Sequence, residues 1–190
     1  ILLRAGHKSP SPFERMVLSA PMVRISDAQL NGHSAKTAWW LSEAATFLGM
    51  GKLFVPGGGS PPPEANKFEG NPLTSDHERY MRTRAILDAE PALGIGAPTI
   101  GWLRAAFRAM SHLQAPDTPG SMRVPMLFAV AGEDSVVSAT AVEDFAVRTK
   151  LGTRVLIASS RHEILQENDE IRSRFWAAFD AYLTSAAAAA

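Results

Sequence analysis

The chain has 190 residues, 46% hydrophobic and 20% charged, with nineteen basic side chains balancing nineteen acidic ones, a make-up that fits one globular unit and excludes a disordered or fibrous chain. Zero formal net charge removes the electrostatic footprint of a nucleic-acid binder and any polybasic signal for anionic lipid. The absence of cysteine excludes disulfides, thiolate catalysis and Cys-based zinc sites, and no apolar run reaches the ~20 residues that a membrane-spanning helix needs.

The chain opens on Ile1 rather than Met, and residues 1–8 read as the tail of a helix closed by Pro10 and Pro12. Met16-Val17-Leu18-Ser19-Ala20, stopped by Pro21, suits a short strand buried on both faces of a parallel sheet. The next comparable strand is Met126 to Ala131. A gap of that length cannot be a plain crossover, because structureless loops beyond about 15 residues are uncommon in compact domains, so an inserted subdomain is expected between them.

Within the insertion, residues 37–50 predict an apolar helix carrying Trp39, Trp40, Leu41, Phe47 and Leu48, broken by Gly49 and Gly51. Residues 56–63, Pro-Gly-Gly-Gly-Ser-Pro-Pro-Pro, form a loop; its glycines lack the following Lys of a phosphate loop and read as a hinge. Ser75-x-x-Glu78 predicts a capping box for a helix that Pro91 stops. Thr99 opens a further helix through about His112, with Leu103, Phe107 and Met110 on one apolar face.

After Pro125 the pattern becomes β-α-β-α. Strand 126–131 leads to a helix from about Thr140, where Thr140-x-x-Glu143 reads as a second capping box, to Lys150. Strand 154–158 then leads to helix 169–183, whose Ile171, Phe175, Phe179 and Leu183 fall at four-residue steps. Strands joined by helices imply a parallel sheet, and the class is α/β. Residues 186–190 are a run of alanines with no assigned role.

In an open parallel sheet, the loops at the carboxyl ends of the strands share one rim, where ligands bind. Asp134, in Ala131-Gly132-Glu133-Asp134-Ser135-Val136-Val137, and His162, in Ser159-Ser160-Arg161-His162-Glu163-Ile164-Leu165, both fall on that rim, 28 residues apart, one βαβ unit. An aspartate after a strand is often only a turn former, and a lone histidine is more often structural than catalytic. Their matching strand context and spacing favour a pair, in which the carboxylate fixes the imidazole tautomer and leaves the other ring nitrogen to take a proton.

A third member, a serine on a Gly-x-Ser-x-Gly turn, is not in the sequence. Gly32-His33-Ser34-Ala35-Lys36 comes near it, but Lys36 stands in place of the second glycine and no strand leads in, so Ser34 reads as a helix start. His162-Glu163-Ile164-Leu165-Gln166 departs from H-E-x-x-H at Gln166, so no zinc site is expected.

Six segments in order, Phe13-Glu14-Arg15-Met16-Val17-Leu18-Ser19-Ala20-Pro21-Met22, Phe54-Val55-Pro56-Gly57-Gly58-Gly59, Asn71-Pro72-Leu73-Thr74-Ser75-Asp76, Pro98-Thr99-Ile100-Gly101-Trp102, Gly132-Glu133-Asp134 and Arg161-His162-Glu163-Ile164-Leu165, together resemble the lysophospholipase L2 and monoacylglycerol-lipase-like branch of the α/β-hydrolases. The resemblance implies the C-terminal part of an α/β-hydrolase fold, a mostly parallel sheet with an inserted helical lid. Its parts would be a core segment 1–22, a lid 23–97, a second core segment 98–185 carrying the acid and base, and a tail 186–190.

By the same resemblance the activity is ester hydrolysis through a Ser-Asp-His triad, with Asp134 as acid, His162 as base and the serine expected just before Ile1. The alternative is an inert fragment or binding module that needs an N-terminal partner segment. Met22, Trp39, Trp40, Phe47 and Val136 are the substrate-binding candidates, although Trp39, Trp40 and Phe47 read first as internal packing of the lid. No cofactor and no metal are implied. The partners implied are a lipid-like ester, a peripheral membrane contact and the missing N-terminal hydrolase segment, with no nucleic acid, in a cytoplasmic or membrane-associated setting.

Overall fold

The structure, a computed structural model, describes residues 1–6, 10–30, 32–62 and 67–187. His7 and Lys8 of the expected first helix, Pro63 of the expected loop and the end of the alanine tail lie outside the described residues. The chain divides into two units, a core unit of Ile1–Ser26, Pro72–Ser75 and Met110–Ala190, and an insertion unit of Asp27–Asn71 and Asp76–Ala109. Residues 98–109, grouped by sequence with the core, therefore cluster with the insertion.

The core unit is built on three parallel strands, β1 (Met16–Ser19), β2 (Met126–Ala131) and β3 (Gly152–Ile157), in the spatial order β1-β2-β3. The register pairs Met16 with Met126 and Met126 with Gly152, so the three strands start level and their carboxyl ends share one rim. Every residue of β2 is buried because it pairs on both sides and is covered on both faces. Its side chains alternate between two cores. Met126, Phe128 and Val130 pack with Leu3, Met16, Leu18, Val142 and Phe145, whereas Ala129 and Ala131 pack with Ile157, Ile164, Ile171 and Phe175. The first core holds α1 (Leu2–Ala5) and α5 (Ala139–Arg148) to the sheet, and the second holds α6 (Asp169–Ala187). The stripe on α6 is buried at Ile171 and Phe175 and fades toward Leu183, which is exposed.

The insertion unit contains α2 (Ala35–Phe47), α3 (His77–Ala89) and most of α4, which spans Ile100–Leu113. Two of the expected helix starts are corrected. Asp76, not Ser75, caps α3 by accepting from Arg79 N, and Ser138, not Thr140, caps α5 by accepting from Ala141 N. In each case a side chain nearer the helix start reaches the orphan N–H first, and the Ser75 hydroxyl is engaged elsewhere. Ser34 caps α2 through Thr37 N.

Polar contacts tie the helices of this unit. Glu43 on α2 accepts from Trp39 Nε1, from Arg104 Nε at 2.7 Å and from Arg108 Nε at 2.6 Å. The two guanidinium groups hold its carboxyl well below the usual 4.5, at about 2. Tyr80 is buried beneath Phe68, whose ring also meets His77 edge-on. Phe54 and Thr99 form an antiparallel bridge. Trp40, Leu41, Phe47, Leu48 and Leu53 are exposed.

Candidate active site

The site forms where two strands of the core unit end. β2 runs into Gly132-Glu133-Asp134 and β3 into Ser159-Ser160-Arg161-His162, and backbone bonds lace the two loops together: Gly132 N donates to Ile157 O and Glu133 N to Ser160 O. Gly132 permits this approach, because a Cβ there would lie 3.2 Å from Ala158 Cα and from Ile157 O. Ser159 takes a left-handed φ of 61°, a conformation uncommon outside glycine, and turns the chain sharply out of β3 toward His162.

His162 Nδ1–H donates to Asp134 Oδ2 at 2.8 Å. The Asp134 side chain is 1% exposed, and its other oxygen, Oδ1, accepts from Val136 N at 2.8 Å and Val137 N at 2.9 Å. Three donors thus fix the carboxylate, and the turn they define is the sequence Asp134-Ser135-Val136-Val137 closing on itself. With Nδ1 committed to a carboxylate, the imidazole is held in the tautomer whose Nε2 carries the lone pair. The ring is 24% exposed, so a proton can reach Nε2, and among the described residues Nε2 has no hydrogen-bond partner. The pair can orient a base and stabilise the imidazolium that forms.

The other sequence candidates fall in different places. Val136 is half-buried beside Asp134, and its carbonyl accepts from Ser26 N. Met22 is half-buried and follows the turn at Ala20, whose φ is 41°. Trp39, Trp40 and Phe47 belong to the insertion unit. Trp39 is partly buried, stacked on Trp40 and bonded to Glu43, whereas Trp40 is 61% and Phe47 90% exposed. Internal packing therefore describes Trp39 and not Phe47, whose position at the last turn of α2 faces it to solvent.

Sequence reasoning missed Glu167. Its side chain is fully buried and accepts from the backbone of Arg161 and Ser75. Its signal was available in principle, since it is an acid five residues after His162, but helix and strand periodicity carry no information about a loop-to-loop contact.

The chain is similar to known proteins in sequence and in fold. A family model described as Hydrolase_4, serine aminopeptidase S33, matches residues 1–169. The probable lysophospholipase L2 of Haemophilus influenzae is 26% identical over 126 residues, 66% of this chain and 39% of that protein. The lysophospholipase L2 of Escherichia coli K12 is 32% identical over 113 residues, 56% of this chain and 33% of that protein. The chain thus spans well under half the length of these curated relatives. Among solved structures, the monoacylglycerol lipase of Paleococcus ferrophilus superposes with a TM-score of 0.68 at 17% identity, covering 97% of this chain and 63% of that one. A soluble variant of the monoglyceride lipase of Saccharomyces cerevisiae gives 0.64 at 14% identity, covering 89% and 55%.

Proposed function

Because the chain belongs to the Hydrolase_4 (serine aminopeptidase, S33) family and has the α/β-hydrolase fold, we propose that it supplies the acid and base of a serine hydrolase acting on carboxylic esters of lipid type. The observation that carries this reading is the 2.8 Å bond from His162 Nδ1 to the buried Asp134 carboxylate on the shared rim of β2 and β3. In the proposed reaction, His162 Nε2 takes the proton of an attacking serine hydroxyl. The serine oxygen adds to the ester carbonyl, and the imidazolium, stabilised by Asp134, returns the proton to the leaving alkoxide. Water then repeats the sequence to free the acid and the serine. The serine is proposed to come from a nucleophile turn outside these 190 residues, since the sequence contains no Gly-x-Ser-x-Gly and Ser34 is occupied as a helix cap.

Two observations support a lipid-like substrate over a peptide. The curated relatives named above are lysophospholipases, and the insertion unit exposes Trp40, Leu41, Phe47 and Leu48 within one stretch of chain, which suits contact with an acyl group or a lipid surface. No helix among the described residues is long and apolar enough to cross a membrane. The test compares the chain alone with the chain joined to the segment that precedes it, on a monoacylglycerol, a lysophospholipid and an amino-acid anilide. Turnover of the acyl esters, only in the joined protein and lost in His162→Ala, is the expected result. Preferential cleavage of the anilide would replace the ester reading with a peptidase one.

A further inference from the structure

Resting on the reading of His162 as a base, we infer that Glu167 is a positioning residue for it, acting through the strap Pro72–Ser75. Glu167 is fully buried, and its two oxygens accept from backbone and hydroxyl donors. Oε1 accepts from Arg161 N at 2.7 Å, the residue before His162. Oε2 accepts from Ser75 N at 3.0 Å and from the Ser75 hydroxyl. One carboxylate therefore joins two stretches of the core unit that lie more than eighty residues apart in sequence.

The strap then returns to the histidine loop from its other side. Glu163 N donates to Leu73 O at 2.8 Å and His162 N to Pro72 O at 3.4 Å, while Arg161 Nη1 donates to Thr74 O and Thr74 Oγ1 to Gln166 O. The residues before and after His162 are thereby fixed to Ser75 and Leu73 respectively, and Glu167 closes the ring. Ile164 anchors the far end of this loop in the second core, whereas Arg161, His162 and Glu163 belong to neither core. The polar ring holds that stretch, and with it the distance over which Nδ1 must reach Asp134.

Glu167→Gln tests this with little change in shape. A carboxamide offers one acceptor oxygen and one donor NH2, so in either orientation its NH2 meets a backbone N–H, of Arg161 or of Ser75, and one side of the ring opens. The readout is the imidazole Nδ1 proton of His162 by NMR in the substrate-free protein, together with kinetics of the esterase-competent protein. In folded Glu167→Gln, solvent exchange of the Nδ1 proton is expected to quicken by about 10-fold or more, and kcat to fall roughly 10- to 100-fold with KM held within about two-fold, the range that a misplacement of 1 Å or less produces. Ser75→Ala keeps both backbone donors and removes only the hydroxyl; it is expected to quicken exchange about 3-fold, and it carries the test where Glu167→Gln does not fold.

A purely structural role would lower the melting temperature of both variants and leave the Nδ1 proton and kcat of the folded fraction as in the wild type. That result overturns the inference. The resonance is read without turnover, so its behaviour is independent of the hydrolase reading, whose own failure is a wild-type protein that shows the Asp134-bonded proton and cleaves no ester.

Discussion

The core unit and the insertion unit use apolar residues in opposite ways. In the core, β2 is six residues long and wholly buried, with successive side chains feeding two different cores, so each apolar residue has one place to go. In the insertion, α2 and its C-cap carry Trp39, Trp40, Leu41, Phe47 and Leu48, yet the polar contacts of α2 centre on Glu43, and most of those apolar side chains face outward. Apolar side chains thus build a frame in one unit and an exposed apolar surface in the other. The frame is what holds His162 and Asp134 at 2.8 Å; the surface is what the proposed greasy substrate would require.

Four changes would break or sharpen that contrast. The largest effect is expected from Asp134→Asn, which keeps the shape of the core unit but replaces the acceptor of His162 Nδ1–H with a group that can stabilise the wrong tautomer. In the esterase-competent protein, kcat should fall by about 10⁴, as loss of the orienting carboxylate does in such triads, with the melting temperature nearly unchanged. Steady-state kinetics and calorimetry on one preparation decide this. A loss below ten-fold would remove Asp134 from the mechanism.

Phe128→Ala comes next. Phe128 is fully buried against Phe145 at a ring separation of 5.9 Å, and truncation should cost about 3–5 kcal/mol by denaturant unfolding, enough to threaten the fold of a marginally stable unit.

The insertion unit should respond to acid through Glu43. Glu43 has a folded pKa of about 2 against an ordinary 4.5, with hydrogen bonds from Arg108 and Arg104 as the leading causes. Its contribution is therefore fully present above pH 4.5 and is lost as the pH falls from there toward 2. Hydrogen-exchange protection of α2 and α4 amides, taken relative to their intrinsic rates, should fall across that window in the wild type, and the dependence should flatten in Glu43→Gln. Equal loss of protection in both would assign the effect to other groups.

The smallest effect is expected from Phe47→Ala. At 90% exposure the ring has little packing to lose, so stability should change by no more than about 0.5 kcal/mol, while KM for a long-chain ester is expected to rise. A large loss of stability would show that Phe47 is packed, and the contrast between the two units would fail at that point.

The same contrast decides what could be read from the sequence. β2 was legible because a continuous apolar run after Pro125 has few alternatives to a buried strand, and β3 through its shorter run Val155-Leu156-Ile157, although it starts at Gly152 and is largely exposed; the rim positions of Asp134 and His162 followed from them. The helix stripes on α4 and α6 were legible through their four- and three-residue steps. The starts of α3 and α5 were misread by one and two residues, because Asp76 and Ser138 compete with Ser75 and Thr140 for the same cap, and only geometry chooses. Trp40 and Phe47, read as internal packing, are exposed instead, since apolar residues on several faces of α2 leave no single buried stripe. Glu167 was invisible for a different reason: its partners at Ser75 and Arg161 meet it through the tertiary fold alone.

The central claim is that His162, oriented by Asp134, activates a serine supplied from outside residues 1–190. It is tested most directly by labelling the joined protein with a fluorophosphonate and mapping the modified residue by mass spectrometry, in the wild type and in His162→Ala. The account predicts one labelled serine, upstream of Ile1, in the wild type and none in the variant. Labelling of Ser34, or labelling that persists without His162, would contradict it.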